Sequence, residues 1–501
     1  MRSHGGRDRR PADRATGGPV ARRLSLKIAR LVLWSTLSLQ LGAGLGASAP
    51  ALHAEEGAPP GEGDPAPPDA SKEELEKRLR ELEQRLAILE RQKEVEQEIA
   101  AQKAKETGAV SAGQDGFVIK SADGAYQLKI RALVQADGRF WDGQETRPVT
   151  DTFDLRRARP ILEGTVNKFF DFRLVPDFGE GKTTLFDAYI DWRFAPWIRL
   201  RAGKFKPPVG LERLQSASET DFVERALPTN LVPNRDVGLQ LGGDVLEGVV
   251  SYAAGVFNGV PDGANVDLDT NDNKETEARV FLQPFKTASV PSLQNLGFGV
   301  AATDGNNFGT LSATGLPSYK TPGQQTFFSY RTNTPATLAG TTIAGGRRHR
   351  LSPQAYWYVW RFGALAEYVE AYQEVEIATS RENLKNTAWQ ATVSFALTDD
   401  RPAYRGFTPR RVFDPQAHGW GALELVLRAG GLKIDDKAFP AFADPTKAAS
   451  RARERGVGVN WVLSRNVKWM LDYIRTRFKD GDAAGDREDE KVILNRFQIA
   501  F

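Results

Sequence analysis

Basic side chains are the residues of this 501-residue chain whose types and spacing could do chemistry. Arg156, Arg157 and Arg159 fall within one short segment, and an extended strand would place Arg157 and Arg159 on one face. Arg156 would then point to the opposite face, unless a bulge or an interface accommodates it. Guanidinium groups present paired donors that fit phosphate oxygens, and they stay charged at any relevant pH. The segment therefore indicates anion binding.

The residues that enzymes and metal sites require are scarce. The chain has no cysteine, which excludes disulfides, iron–sulfur clusters and thiolate ligands. Of its four histidines only His349 and His418 follow the predicted export signal, and neither lies in a nucleophile-elbow pattern. A P-loop and a dinucleotide fingerprint are both absent from the sequence. We therefore expect no enzymatic activity, no cofactor and no metal site, and the lack of a one-sided basic segment argues against nucleic acid as a partner.

The elements that must position the arginines follow a period of two from about Gly116 onward. Residues 127–140 and 184–194 alternate apolar and ionic side chains, and the second segment predicts an apolar face formed by Phe186, Ala188, Ile190, Trp192 and Phe194. Weaker copies occur at 171–178, 197–203, 361–369, 389–397, 421–429, 457–463 and 491–501. Aromatic residues at strand ends, together with mixed short and long connections, favour a membrane barrel over a soluble sandwich with one wet face. The sequence thus predicts an all-β transmembrane β-barrel of about 16 antiparallel strands within residues 107–501.

Three segments precede the predicted barrel. Residues 1–54 have the basic, apolar and small-residue regions of a signal peptide, with a membrane anchor helix as the alternative. Residues 55–70 form a Pro/Gly/acidic linker. Residues 71–106 contain leucines spaced by four and three, at Leu75, Leu79, Leu82, Leu86 and Leu89. This heptad seam favours an α-helical coiled coil, and hence an oligomer, over a lone amphipathic helix.

The chain ends on an aromatic residue, Phe501, preceded at alternate positions by Ile499 and Phe497. A final aromatic that closes an alternating strand is an assembly signal of bacterial outer-membrane barrels. Together with the export signal, it predicts the bacterial outer membrane as the location, with its lipid and its assembly machinery as partners and the coiled coil in the periplasm.

Within such a barrel the ionic strand faces would line the lumen. Arg199 and Arg201 share one of these faces, and further cations are expected there at Lys129, Arg131, Arg139, Arg173 and Arg193. Arginine and lysine rings give anion pores their selectivity. The alternative is the mixed ionic lining of an unselective pore, in which acids neutralise the arginines: Asp137, Asp154, Asp187 and Asp191.

The stretch 203–242 interrupts the alternation. Pro207 and Pro208 cannot continue a central strand, and the next clear strand begins near Val237. The intervening segment is too long for an ordinary connection. We interpret it as a constriction loop folded into the lumen, with an externally exposed loop as the alternative. The loop would supply donors to anions at Lys204, Lys206, Arg213, Ser216, Ser218 and Arg225.

At this stretch the sequence resembles the phosphate-selective porin O and P family, over about residues 115–501. The resemblance rests on the segments 156–164, 201–211, 216–224, 234–243, 353–370, 404–406 and 495–501. It implies a sixteen-stranded, trimeric outer-membrane channel for phosphate or polyphosphate, with an inward-folded third loop, an arginine ladder, and a lysine with nearby serines that binds the anion. Arg156, Arg157 and Arg159 match ladder positions, and Arg213 stands where the family has the lysine.

The sequence therefore predicts a passive outer-membrane porin, expected to be a homotrimer, that gives anion-preferring diffusion, with phosphate or polyphosphate first. Two alternatives remain open. One is a general or weakly selective porin, and the other is a structural or adhesive envelope β-barrel without conductance.

Overall fold

A computed structural model describes residues 72–106, 108–143, 145, 147–267, 269, 271–406 and 408–501. The predicted signal peptide and the linker 55–70 lie outside the described residues. Within the described part of the chain, no helix combines the length and the apolar content that crossing a membrane requires.

Sixteen antiparallel strands form a closed barrel. They are β1 (Gln127–Trp141), β2 (Thr152–Val166), β3 (Phe170–Asp177), β4 (Thr184–Ala195), β5 (Ile198–Phe205), β6 (Asp236–Val245), β7 (Val250–Phe257), β8 (Glu275–Leu282), β9 (Leu296–Phe308), β10 (Ile343–Val359), β11 (Phe362–Ile377), β12 (Ser380–Ala396), β13 (Ala422–Lys433), β14 (Ala449–Val462), β15 (Val467–Asp482) and β16 (Glu490–Ala500). Each strand pairs with the next, and β16 pairs with β1 to close the cylinder. The predicted sixteen-stranded barrel is confirmed.

The barrel forms because successive strand residues point to opposite faces. In β1 the side chains of Gln135, Asp137 and Arg139 are buried toward the lumen, whereas Val134 and Ala136, at the alternate positions, are exposed on the outer wall. A closed barrel pairs every backbone group and leaves no sheet edge, which a lipid environment requires.

The two ends of the barrel have connections of different length. At one end, here named the turn end, most strands are joined by tight turns at 167–169, 196–197, 246–249, 360–361 and 463–466. At the other, the loop end, long segments occur at 142–151, 206–235, 258–274, 309–342 and 434–448. The loop end also has one tight turn at 378–379, and the turn end has longer connections at 283–295 and 397–421.

The C-terminus completes the barrel at the turn end. Phe501 and Ala132 exchange backbone hydrogen bonds of 2.9 and 3.0 Å. A hairpin of Ala109–Gly113 and Gly116–Lys120 extends the sheet beyond the C-terminus at the turn end. Its residues 117–120 pair with residues 127–130 of β1. Phe497 and Ile499 are exposed on the outer wall. The one polar side chain of the closing apolar face, Asn495, accepts a hydrogen bond from Trp469 Nε1 at 2.7 Å.

Before the barrel, the residues that the structure describes from position 72 onward form the helix α1 (Lys72–Glu106). The seam leucines whose side chains are described are exposed: Leu79, Leu82, Leu86 and Leu89. The helix is present, and its assembly into a coiled coil remains a prediction.

Candidate functional site

The segment 206–235 between β5 and β6 runs inside the barrel, and it is named the constriction loop below. Backbone groups of the loop bond to lumen-facing side chains of distant strands. The Val223 N–H donates to Asp472 Oδ2 at 2.7 Å, and the Leu211 N–H donates to Glu367 Oε2 at 2.6 Å. On the other side, Gln135 Nε2 donates to the Ala217 carbonyl at 2.9 Å. The loop therefore crosses the lumen, as the first of the two interpretations of its sequence expected.

Apolar packing holds the constriction loop against one side of the barrel. Val209, Leu227 and Leu231 are fully buried in a cluster with Val369 of β11 and Leu432 of β13. Burying such side chains stabilises a fold by roughly 1.5–3 kcal/mol each. Because this side of the lumen is filled, the open space lies between the loop and the wall that carries the arginines of β2.

That space is a cavity of about 580 Å³, named the upper cavity, between β2, the constriction loop and the loops 258–274 and 309–342. Eight cationic side chains line it: Arg156, Arg157, Arg159, Lys206, Arg213, Arg225, Arg235 and Lys320. Three carboxylates line it: Glu180, Glu224 and Asp262. The formal charge of its lining is therefore strongly positive, although the chain as a whole carries only +3.

A β-bulge brings Arg156 to the same side as its neighbours. The register between β1 and β2 shifts so that Gln135 opposes Arg157 while Ala136 opposes Leu155. Arg156 is the extra residue, and a bulge of this kind re-aims a side chain. Its Nε donates to Glu224 Oε1 at 2.6 Å, so all three arginines of the segment line the upper cavity.

Five of the cations form no ion pair with a described carboxylate: Arg157, Lys206, Arg213, Arg225 and Lys320. Four of these five donate side-chain hydrogen bonds to neutral oxygens. Two of them share one acceptor: Lys206 Nζ and Arg225 Nη2 both donate to the Gln215 carbonyl, at 2.6 and 2.8 Å. Burial, followed by the charges of Arg235 and Arg225, lowers the pKa of Lys206 well below its ordinary value. Lys206 Nζ also donates to the Leu214 carbonyl at 3.2 Å, and Arg225 Nε donates to the Glu212 carbonyl at 3.1 Å. Because carbonyl groups carry no net charge, both positive charges remain uncompensated and this part of the cavity favours an anion.

Arg157 and Arg213 are the other two unpaired cations with hydrogen bonds to neutral oxygens. Arg157 Nη1 donates to Gln135 Oε1 at 2.6 Å. Arg213 donates to the Thr229 carbonyl at 2.5 Å and to Asn234 Oδ1 at 3.2 Å, and its Nε has no partner in the described structure. Burial, followed by nearby arginines, lowers the pKa of Arg213 to about 9, which leaves the side chain cationic at neutral pH.

Two further arginines of the upper cavity are ion-paired and flank one aromatic ring. Arg159 Nε lies 2.7 Å from Asp177, and Arg235 Nε lies 3.0 Å from Asp187. Their guanidinium carbons lie 3.8 and 4.9 Å from the centroid of Phe186. The prediction that Phe186 belongs to the outer apolar face is wrong, because a register shift between β3 and β4 turns this residue into the cavity.

A second cavity of about 410 Å³ lies among β1 to β5 and is named the lower cavity. Its charged lining is Lys129, Arg173, Arg193, Arg199 and Arg201 with Glu163, Asp171 and Asp191. Here acids compensate most arginines: Arg201 Nε lies 2.6 Å from Asp191, and Arg193 Nε lies 2.6 Å from Asp171. The lower cavity therefore has the mixed ionic lining of the alternative interpretation.

Five of the expected pathway residues line neither cavity. Lys204 pairs with Asp267 of the loop 258–274, and Arg131 lies 3.3 Å from Glu163. Arg139 is buried 3.3 Å from Asp154. Ser216 and Ser218 hydrogen-bond to each other through their hydroxyls at 2.9 Å, so the serines do not join the upper-cavity cations.

Five charged residues of the upper cavity are absent from the sequence prediction: Glu180, Glu224, Arg235, Asp262 and Lys320. Arg235 lies within the stretch 203–242, and its position just before β6 is a usable signal. The three acids escape a prediction that considers carboxylates only on strands. Lys320 comes from the loop 309–342, whose sequence has no periodic pattern that would predict its position.

The closed barrel, the loop folded into its lumen and the cationic lining define a β-barrel membrane channel. The chain belongs to a family described as phosphate-selective porin O and P, whose model matches residues 128–501. It is thus an outer-membrane porin. No curated protein matches its sequence.

Solved porin structures are similar at low sequence identity. The outer membrane channel DcaP of Acinetobacter baumannii is 11% identical with a TM-score of 0.48, over 78% of this chain and 100% of that one. A loop L8 deletion mutant of OmpT, an outer membrane protein of Vibrio cholerae, is 9% identical with a TM-score of 0.47, over 75% and 100%. OprB of Pseudomonas putida is 9% identical with a TM-score of 0.44, over 76% and 95%.

Proposed function

We propose that this porin conducts anions preferentially and that phosphate or polyphosphate is the solute it favours, bound transiently in the upper cavity. The observation that carries this proposal is the set of four cations, Arg157, Lys206, Arg213 and Arg225, that have only neutral oxygens as partners. The description of the family as phosphate-selective supports the choice of anion.

The chemistry of the donors favours phosphate over chloride. A phosphate oxygen accepts charge-assisted hydrogen bonds from guanidinium forks, whereas chloride lacks the geometry to accept them in parallel. The anion would relieve the mutual repulsion between Lys206 and Arg225, whose shared carbonyl acceptor leaves both charges uncompensated. Passage needs no energy input, because conduction only requires sites that bind weakly enough to release.

The two cavities divide the passage into two steps. The upper cavity concentrates anions because its lining has eight cationic residues and only three acidic ones. The lower cavity, with five cations and three acids, holds an anion less tightly and would allow release toward the turn end. A path of decreasing positive charge fits passive diffusion that is driven by the solute gradient alone.

Planar-bilayer recording tests the proposal directly. Reversal potentials in a salt gradient should indicate anion preference, and phosphate should block chloride current in the parent protein. Arg213→Ala should weaken this block by about tenfold to a hundredfold, since a charge-assisted hydrogen bond contributes about 1.5–3 kcal/mol. Arg347→Ala is the control, because Arg347 is exposed and pairs with Asp304 outside the upper cavity.

The outcomes distinguish the proposal from its alternatives. Cation preference, or an unchanged block in Arg213→Ala, would contradict phosphate binding at this site and favour a general porin. The paired charges of the lower cavity are the observation that favours that second candidate. Absence of any conductance would instead favour a structural or adhesive barrel.

Further properties of the porin belong to the same proposal. The exposed seam of α1 supports a coiled coil between copies of the chain, and a homotrimer is the assembly we expect. Because α1 precedes the turn end of the barrel in sequence, we assign it to the periplasm. Phe497, Ile499 and Phe501 are assigned as the signal for the outer-membrane assembly machinery.

A further inference from the structure

The outer wall of β14 and β15 changes abruptly from apolar to cationic. From the turn end, each strand first presents three apolar or aromatic side chains outward, namely Trp461, Val459 and Val457 on β14, and Trp469, Leu471 and Tyr473 on β15. The next three outward positions of each strand are all basic. They are Arg455, Arg453 and Arg451 on β14, and Arg475, Arg477 and Lys479 on β15. These six residues are named the outer basic patch.

The patch lies outside the lumen. The residues between its members, such as Ala452, Glu454, Ile474 and Thr476, are fully buried inside the barrel. Because strand side chains alternate between faces, the six cations point away from the upper and lower cavities. None of them lines either cavity, so the patch is separate from the anion pathway.

Cross-strand register places the cations directly opposite one another. Arg455 faces Arg475, Arg453 faces Arg477, and Arg451 faces Lys479. Like charges directly opposite in a sheet are destabilising. Asp489 accepts hydrogen bonds from Arg475 at 2.5 and 2.8 Å and lies 3.5 Å from Arg477. The other four cations form no ion pair with a carboxylate of the described residues.

Outward polar positions near the loop end of two other strands are arranged differently. On β11 and β12 the polar positions above the apolar residues hold acids and bases that pair. Lys385 Nζ lies 2.8 Å from Glu370, and Arg381 Nε lies 2.6 Å from Glu374. A charged outer wall near the loop end can therefore pair its cations with carboxylates of the same chain. The outer basic patch is a local feature that needs an anionic partner from outside the chain.

We propose that the outer basic patch binds the phosphate groups of lipid A in the outer leaflet of the outer membrane. Long loops mark the external end of such barrels, so the patch faces the outer leaflet just beyond the apolar belt. Five arginines supply the planar donors that suit phosphate. Val457, Val459 and Leu471 directly below contact acyl chains of the same molecule. One amphiphile thus satisfies both the charged and the apolar parts of this wall.

The dimensions of the patch fit a headgroup with two phosphates. Alternate residues of a strand are about 7 Å apart, and neighbouring strands are about 4.8 Å apart. The six cations therefore cover an area about 14 Å long and two strands wide. A single small anion would fill only one of the three cross-strand pairs, whereas a disaccharide with a phosphate at each end would engage at least two.

Native mass spectrometry of the full-length protein in detergent tests the proposal. Lipid A carrying two phosphates should bind the parent protein, and dephosphorylated lipid A should bind much more weakly. Removing one cross-strand pair with R453Q/R477Q should weaken binding of the phosphorylated form about tenfold or more. The matched control is R347Q/R381Q, which removes two arginines from the outer wall that already have carboxylate partners.

Thermal unfolding gives a second readout that a purely structural role would not produce. Without lipid, R453Q/R477Q should unfold at the same or a higher temperature than the parent, because a like-charge pair has been removed. Added lipid A should raise the unfolding temperature of the parent and of the control. The increase for R453Q/R477Q should be much smaller. Phosphate block of chloride current should stay unchanged in all variants, which separates this surface from the pore.

Three results would overturn the proposal. They are equal binding of phosphorylated and dephosphorylated lipid A, unchanged binding by R453Q/R477Q, and lower stability of that variant without lipid. Loss of the oligomer in R453Q/R477Q, with lipid binding unaffected, would instead assign the patch to contact with a second copy of the chain.

Discussion

The carboxylate of Glu224 accepts a hydrogen bond from Arg156 Nε at 2.6 Å, which joins the constriction loop to the wall of the upper cavity. Arg139 and Arg496 also approach this carboxylate, at 3.6 and 3.4 Å. Burial would raise the pKa of Glu224, but Arg156, Arg157 and Arg496 outweigh burial and hold it well below its ordinary value. One acid thus fixes the arrangement of several arginines around the pore.

Glu224→Gln should destabilise the barrel by about 3–5 kcal/mol, since it removes a buried negative charge that Arg156, Arg139 and Arg496 share. Glu180→Gln is the matched control, because Glu180 also pairs with Arg156 but is 44% exposed. Thermal unfolding in detergent measures both variants. Equal stability of the two variants would show that Glu224 does not hold the loop.

The ion pair between Glu224 and Arg156 should make the stability of the fold decrease at acidic pH. Because the folded-state pKa of Glu224 is depressed, its stabilising contribution is complete above the unfolded-state pKa of about 4.3. This contribution is lost as the pH falls through the depressed folded-state value. The difference in stability between the parent and Glu224→Gln should therefore be constant near neutral pH and shrink below about pH 4.

Lys206 should make anion binding sensitive to alkaline pH. Burial, followed by Arg235 and Arg225, lowers its pKa well below the ordinary value, so it loses its charge earlier than an exposed lysine as the pH rises. Sulfate is the suitable probe, because its charge stays constant where phosphate titrates. Sulfate block of chloride current should weaken as the pH rises, and Lys206→Met should remove most of this dependence.

Lys206→Arg supplies the control for that measurement. An arginine stays protonated over the accessible range, so the variant should retain sulfate block to higher pH than the parent. If the parent, Lys206→Met and Lys206→Arg all lose block over the same pH range, the titrating group lies elsewhere.

The sequence predicts the barrel well because its signal is periodic. The alternation in β1 and β4 follows directly from one face in water and the other in lipid, and the C-terminal strand carries the same pattern to Phe501. Period-two reasoning assumes an unbroken register, however. It therefore failed at Phe186, where one extra residue reverses the direction of the side chain.

The candidate site is only partly predictable for the same reason. Arg157 and Arg159 could be placed from alternation, and Arg156 only by allowing for a bulge. The composition of the upper cavity depends on how the constriction loop and the loop 309–342 meet the wall. Lys320 therefore has no signature in the sequence, and Ser216 and Ser218 cannot be assigned to the cavity from their nearness to Arg213 in the chain.

Asp472 should control the mobility of the constriction loop. Its Oδ2 accepts a hydrogen bond from the Val223 N–H, which lies next to Glu224. Asp472→Ala leaves this buried N–H without an acceptor, at a cost of about 1–3 kcal/mol, and should increase open-channel noise. Asp472→Asn keeps an acceptor oxygen and should remain close to the parent. Single-channel recordings compare the two, and similar noise in both would exclude this anchoring role.

The leucine seam of α1 should contribute to the assembly of the protein. Leu82 and Leu86 are 63% and 59% exposed on the described helix, so a charge at either position costs little within one chain. In a coiled coil, however, both would be buried between helices. We expect L82D/L86D to lower the temperature at which the oligomer dissociates on a native gel, while conductance and barrel content stay unchanged. K77D/R91D is the control, because both residues occupy the outermost position of the heptad, opposite the seam. If oligomers of the parent and of a chain without residues 71–106 dissociate at the same temperature, α1 has no role in holding the subunits together.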